Sequence, residues 1–129
     1  MAYNILVVDD SKTIRAIIVK ILKLTKLEIN QIFEATNGRE ALDCLKDNWI
    51  DLILSDLNMP VMTGTEMVSE MEKDGLLKDI PVIVISTDGS AKRIDELKKK
   101  GIREYIRKPF TPESISGVID RVLGVQHHE

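Results

Sequence analysis

The chain has 129 residues, of which 43% are hydrophobic and 30% are charged, and its formal net charge is −3. These values are typical of one soluble globular domain and argue against a disordered chain or a dedicated nucleic-acid binder, which is usually basic. Its single cysteine, Cys44, excludes an internal disulfide framework and a cysteine-based zinc site. The longest early apolar run, residues 5–8, is too short for a membrane span or a signal peptide. We therefore expect a cytoplasmic protein that binds neither membrane nor nucleic acid directly.

Five short apolar or alternating segments along the chain predict β-strands. Three of them are continuous apolar runs, which are typical of strands buried on both faces of a sheet. The predicted strands are residues 5–8, 31–36, 51–55, 80–86 and 104–107.

Each predicted strand is followed by a segment in which apolar residues recur at helical spacing. Helix-capping residues precede most of these segments: Ser11, Asn37 with Glu40, Thr63 with Glu66, and Thr111 before Pro112. Gly75 and Gly101 are expected to end the third and fourth helices. We expect Trp49 to pack where the second helix ends, because burial of its ring is favourable.

Five strand–helix units with short loops predict an α/β fold, a doubly wound parallel sheet with helices on both faces. Residues 1–124 are expected to form this one domain, and residues 125–129 are expected to be a C-terminal tail.

Polar side chains collect at the predicted carboxyl ends of the strands. They are Asp9 and Asp10 after the first strand, Asp56 after the third, Ser86 after the fourth and Lys108 after the fifth. Each alone has an ordinary explanation as a helix cap, a turn residue or a solvated charge. Ligands of open parallel sheets bind at this edge, so their joint occurrence predicts a functional site.

Three carboxylates at one edge repel one another. Two unit charges about 4 Å apart interact by roughly 4 kcal/mol at an effective dielectric near 20. Oxygen ligands with room for water and phosphate favour Mg²⁺, and the ammonium of Lys108 offsets a further charge. A carboxylate that stays ionised in such a site can attack phosphorus as a nucleophile.

Several segments together resemble the receiver domains of two-component response regulators, specifically the CheY-like single-domain type. The resemblance implies the flavodoxin-like strand order 2-1-3-4-5. The segments that carry it are residues 5–11, 51–60, 62–64, 81–86 and 105–110.

The resemblance also implies roles for individual residues. Asp56 would accept a phosphoryl group from a histidine of a sensor kinase or a phosphotransfer protein. Asp10, Asp56 and the backbone carbonyl of Asn58 would hold Mg²⁺, and Asp9 would contribute through water.

Further roles concern the response to phosphorylation. Lys108 would pair with the phosphoryl group, Ser86 would move to hydrogen-bond it, and Tyr105 would move inward behind Ser86. The Lys108–Pro109 peptide bond is expected to be cis.

Three residues are expected to tune the rates of phosphorylation and hydrolysis. Asn58 and Asp88 would border the approach of water to the phosphorus. Thr87 replaces the alanine or glycine that is usual in this family, so its side chain would crowd the phosphoryl group.

Two other functions remain open from the residues themselves. A phosphatase of the haloacid dehalogenase kind also uses an aspartate after a parallel strand, but its second acid is replaced here by Asn58. A flavin-binding module on the same fold would meet repulsion between Asp9, Asp10 and the flavin phosphate.

The last third of the chain is basic, with eight basic and three acidic residues between positions 90 and 108. In the family that this sequence resembles, the surface of the fourth helix, fifth strand and fifth helix (the 4-5-5 face) commonly meets a downstream target. A chemotaxis pathway is one candidate, and a phosphorelay or another kinase pathway is a second. We expect a signalling switch that catalyses only its own phosphorylation and dephosphorylation. The basic residues expected on this face are Lys92, Arg93, Lys98, Lys99, Lys100, Arg103 and Arg107.

Overall fold

The computed structural model describes residues 2–124, and strands alternate with helices along this part of the chain. The strands are β1 (Tyr3–Val8), β2 (Ile29–Ala35), β3 (Leu52–Ser55), β4 (Val82–Ser86) and β5 (Glu104–Arg107). The helices are α1 (Lys12–Leu24), α2 (Gly38–Asp47), α3 (Gly64–Glu72), α4 (Ala91–Lys99) and α5 (Pro112–Leu123).

The five strands form one sheet in the order β2-β1-β3-β4-β5, and every neighbouring pair is parallel. This confirms the predicted α/β fold and its strand order. The predicted tail, residues 125–129, lies outside the described residues. Within residues 2–124, no helix has the length and apolar character that crossing a membrane requires.

Two apolar layers cover the two faces of the sheet. Alternate residues of β1 point to opposite faces: Ile5 and Val7 pack with α1 and α5, and Leu6 and Val8 pack with α2, α3 and α4. All four are at most 1% exposed. Burial of each such side chain contributes about 1.5–3 kcal/mol, so β1 is the strand around which both layers assemble.

Four of the five strands begin one or two residues away from the predicted start: β1 at Tyr3, β2 at Ile29, β3 at Leu52 and β4 at Val82. β2 starts at Ile29, because Tyr3 of β1 pairs with it before a register shift. β4 starts at Val82: the Ile80 amide donates to the Leu77 carbonyl in a turn, although the Pro81 carbonyl still accepts from the Ile53 amide at 3.0 Å.

The helix starts largely follow the predicted capping residues. The side chains of Ser11, Thr63 and Thr111 each accept a bond from the backbone amide three residues later, and Thr63 with Glu66 forms a full capping box. Asn37 caps α2, but the expected reciprocal bond differs: the carboxylate of Glu40 accepts from the Thr36 amide at 2.8 Å.

Two expectations at element ends are wrong. α3 ends at Glu72 with Lys73 as its cap, and Gly75 does not have the left-handed conformation that closes a helix. Gly101 does have it, with φ of 114° after α4. Trp49 is 78% exposed, because its indole N–H donates to the Asp51 carboxylate at 2.9 Å and this bond holds the ring at the surface.

Val61 is strained in the loop between β3 and α3. Its φ is 68°, in the left-handed region that disfavours a β-branched side chain, and the residue is 82% exposed. The Met62 amide donates to the Pro60 carbonyl at 2.7 Å across Val61, which holds the backbone in this tight turn. The side chain of Val61 therefore opposes the conformation that the loop requires.

We expect Val61→Asn to raise the free energy of unfolding by about 1 kcal/mol, because asparagine tolerates a positive φ. Urea denaturation measures the change, with Val61→Ala as the matched control. Alanine keeps a Cβ but is not branched, so it should give a smaller gain. A Val61→Asn protein no more stable than the wild type would show that the turn imposes no strain.

Candidate functional site

Three carboxylates meet at the carboxyl edge of the sheet, as the sequence predicts. Asp9 and Asp10 directly follow β1 and Asp56 directly follows β3, and these two strands are neighbours. One carboxylate oxygen from each of the three lies within 4.8 Å of the others. Asp9 and Asp56 are buried, whereas Asp10 is exposed. An all-oxygen donor set of this size, open to solvent on one side, fits a hard divalent cation.

Lys108 joins two of these carboxylates. Its Nζ lies 3.2 Å from Oδ2 of Asp9 and 3.2 Å from Oδ2 of Asp56. The Lys108 amide donates to the Ser86 carbonyl at 2.9 Å, which fixes the backbone from which the side chain reaches the site. The Lys108–Pro109 bond is cis, as expected.

Burial and charge oppose each other at this lysine and at Asp9. Burial disfavours the ammonium of Lys108, but attraction by Asp56 and Asp9 outweighs it, so the pKa of Lys108 is raised. For Asp9, burial raises the pKa and repulsion by Asp56 adds to it, while the Ser11 amide and Lys108 act in the opposite direction. The net result is a raised pKa for Asp9, because burial dominates.

Backbone groups orient the two buried carboxylates. The Ser11 amide donates to Oδ1 of Asp9 at 2.8 Å, and the Leu57 amide donates to Oδ1 of Asp56 at 2.7 Å. In both residues the second oxygen, Oδ2, faces Lys108. Each carboxylate is therefore held at both oxygens, which fixes the position of Asp56 before any ligand binds.

Ser86 is the last residue of β4, and Tyr105 lies on the neighbouring strand β5. Ser86 is 1% exposed, and its hydroxyl accepts a bond from the Asp88 amide at 3.3 Å. The Tyr105 hydroxyl donates to the Asp88 carbonyl and lies 3.4 Å from the Ser86 carbonyl. Burial dominates among the causes that raise the pKa of Tyr105, so its hydroxyl stays a donor near neutral pH.

The three predicted rate-tuning residues lie in the loops after β3 and β4. Asn58, Thr87 and Asp88 are all exposed, so they border solvent at this edge of the sheet. Their effect on rates stays a prediction.

Two arginines contribute contacts that the sequence reading did not assign. Arg15 donates from its Nη1 to the Asp9 carbonyl at 2.7 Å and pairs with Glu34. Arg93 was expected on the basic 4-5-5 face, but it donates to the Thr65 hydroxyl at 3.0 Å and is only 32% exposed. In the sequence both are basic residues within basic runs, and no pattern distinguishes them from solvated neighbours.

Comparison with known proteins places this geometry in a family. Residues 5–120 match the family described as response regulator receiver domain. A chemotaxis protein CheY homolog of Campylobacter jejuni is 38% identical over 122 residues, 94% of this chain and 92% of that protein. Chemotaxis protein CheY1 of Helicobacter pylori is also 38% identical, over 94% of this chain and 97% of its own.

A solved structure supports the same assignment. The chemotaxis response regulator CheY4 of Vibrio cholerae superposes with a TM-score of 0.85 at 34% identity, and the match covers 95% of this chain and 99% of that one. The sequence match, the strand order and the acidic cluster at the strand ends agree with one another. The chain therefore belongs to the response regulator receiver domain family and is similar to its CheY-type chemotaxis members.

Proposed function

We propose that Asp56 is the phosphoacceptor of this receiver domain and takes a phosphoryl group from a phosphohistidine of a sensor kinase or phosphotransfer protein. The observation that carries the proposal is the contact between Lys108 and Asp56, 3.2 Å apart within the acidic cluster. Lys108 contacts Asp9 as well, and a backbone amide holds one oxygen of each carboxylate, but Asp56 is the member of the cluster that directly follows the central strand β3.

In the proposed step, one oxygen of the Asp56 carboxylate forms a bond to phosphorus. The bond between phosphorus and the donor's imidazole nitrogen breaks, and the imidazole leaves with the electron pair. The product carries roughly −1.5 to −2 charges on the phosphoryl group. Lys108 already lies beside Asp56, so its ammonium can follow the new charge with little movement.

Receiver domains bind Mg²⁺ at an acidic cluster of this kind. In this chain, Asp10, Asp56 and the backbone carbonyl of Asn58 would hold the ion, and Asp9 would act through water. The bound ion would supply positive charge to the phosphoryl oxygens. The burial of Asp9 and its contact with Lys108 support a less direct role for Asp9 than for the exposed Asp10.

The exposed loop residues would set how long the phosphorylated state persists. Asn58 can orient a water molecule but is no base, and Asp88 brings a negative charge to the same approach. Thr87 has a branched side chain at the position after Ser86, so it would crowd both small phosphodonors and attacking water.

Phosphorylation would act on the rest of the molecule through Ser86 and Tyr105. The Ser86 hydroxyl would turn from the Asp88 amide toward the phosphoryl oxygens, which frees the loop that the Tyr105 hydroxyl now contacts. The 4-5-5 face would then present a different surface to a downstream target. This is a shift between two packings of one fold.

The charge of the 4-5-5 face favours an acidic target surface. Its exposed basic side chains are Lys92, Lys98, Lys99, Lys100, Arg103 and Arg107. Lys99 pairs with Asp95 at 3.4 Å, an exposed contact worth little. Residues 1–124 would form the receiver domain. Similarity to CheY proteins favours a chemotaxis target over other pathways.

We expect acetyl phosphate with Mg²⁺ to add one phosphoryl group to the wild type and none to Asp56→Asn, because the amide is not a nucleophile toward phosphorus. Intact mass spectrometry measures the addition. Asp47→Asn, which alters an exposed carboxylate at the end of α2, is the matched control and should be phosphorylated normally. Full addition to Asp56→Asn would exclude Asp56 as the acceptor.

Asp10→Asn should weaken Mg²⁺ binding by roughly tenfold or more, and Asp9→Asn should weaken it less. Isothermal titration calorimetry gives both affinities. Removal of the exposed Asp10 charge relieves repulsion, so thermal unfolding should show an unchanged or higher stability. Equal Mg²⁺ affinity of Asp10→Asn and wild type would refute direct coordination by Asp10.

Ser86→Ala should be phosphorylated to the same extent as wild type, yet the amide chemical shifts of residues 89–107 should change much less on phosphorylation. The reason is that alanine cannot bond the phosphoryl group. Ser86→Thr retains the hydroxyl and is the control that should respond fully. A complete response of Ser86→Ala would show that the hydroxyl does not transmit the change.

A further inference from the structure

Asp88 is held by three different elements of the fold. Its amide donates to the Ser86 hydroxyl at 3.3 Å, and its carbonyl accepts from the Tyr105 hydroxyl. Its carboxylate oxygen Oδ2 lies 3.7 Å from Nε of Arg93. Asp88 is therefore the point at which both proposed switch residues and an arginine of α4 meet. The Arg93 contact is the one that neither the family resemblance nor the proposed function assigns.

One nitrogen of the Arg93 guanidinium, Nη2, has a hydrogen-bond partner, whereas another, Nε, has none. Its Nη2 donates to the Thr65 hydroxyl at 3.0 Å, which joins the first turn of α4 to the first turn of α3. Its Nε is buried and has no hydrogen-bond partner among the described residues. A buried donor without an acceptor is unfavourable. Oδ2 of Asp88, at 3.7 Å, is beyond hydrogen-bond distance of this Nε, so the two side chains attract each other by charge alone.

Thr65 connects Arg93 to the segment that contains the phosphoacceptor. It follows Gly64, whose amide donates to the Leu57 carbonyl at 2.8 Å. A Cβ at Gly64 would overlap the Asp56 carbonyl oxygen, so α3 begins directly against that backbone. Thr65 thus has a fixed position relative to Asp56. The guanidinium bridges from this fixed point to the loop between β4 and α4, residues 87–90.

We propose that Arg93 is a positioning residue that restrains the loop of residues 87–90 and so sets the balance between its two arrangements. The proposal rests on the proposed switch through Ser86 and Tyr105. With the restraint, the unphosphorylated protein keeps Asp88 where Tyr105 contacts it. Without the restraint, the displaced loop becomes more populated before any phosphoryl group is present. A guanidinium suits this role because it offers two N–H groups in a fixed fork, whereas lysine offers one charge on a flexible stem.

The test compares Arg93→Met, Thr65→Val and the double variant without a phosphodonor. Amide chemical shifts of Ser86, Asp88 and Tyr105 are placed on the line that joins unphosphorylated and phosphorylated wild type. Both single variants should move along this line in the same direction, by roughly a tenth of its length. The double variant should move no further than Arg93→Met, because both substitutions remove the same restraint. Thr65→Ser retains the hydroxyl and should remain at the wild-type position.

Three results would overturn the proposal. The first is shifts that are confined to the mutated residue and leave Ser86 and Tyr105 unchanged, which would make Arg93 a static bridge between α3 and α4. The second is additive shifts in the double variant. The third is that phosphorylated wild type shows no change in the chemical shifts of the loop, because the two wild-type states then define no line on which the variants could be placed. Circular dichroism verifies folding of each variant. Intact mass after acetyl phosphate treatment reports separately on Asp56, so loss of the phosphoacceptor assignment is distinguishable from loss of the Arg93 assignment.

Discussion

The contact of one lysine with two buried carboxylates is the interaction on which the site depends. Lys108 lies 3.2 Å from both Asp9 and Asp56, and a third carboxylate, Asp10, lies beside them. Burial of Asp9 and Asp56 without this ammonium would leave like charges close together in a medium of low polarity. The raised pKa of Lys108 means that this attraction stabilises the folded protein below the ordinary lysine pKa. That stability is lost as the pH rises through the raised value.

The sheet supplies the geometry that makes this contact possible. Asp9, Asp56 and Lys108 directly follow β1, β3 and β5. In the sheet, β1 and β3 are neighbours, and β4 lies between β3 and β5. Because β1 and β3 are buried on both faces, the positions of their ends are fixed by packing. Asn58, Thr87 and Asp88, in the loops after β3 and β4, are exposed and belong to neither apolar layer. A rigid charge cluster next to adjustable loops is the combination that a phosphorylation-dependent switch requires.

Most of the site could be predicted because strand ends are visible in an apolar pattern. Asp9, Asp10, Asp56, Ser86 and Lys108 each follow a run of β-type residues, and parallel strands bring such ends together. Contacts between side chains that are distant in the sequence have no comparable pattern in the sequence. The bond from Arg93 to Thr65 joins residues 28 positions apart on two helices. Trp49 was expected to be buried, yet a local bond to Asp51 keeps it at the surface.

The sequence by itself determined the order of the elements, the parallel sheet and the acidic edge. Each of these follows from local periodicity, capping residues and the position of charges after apolar runs. Only the tertiary structure decided that Asp9 is buried while Asp10 is exposed, that Lys108 contacts both Asp9 and Asp56, and that Arg93 turns inward. The physical reason is that burial and pairing depend on the packing of distant elements, and identical residue types in adjacent positions carry no information about it.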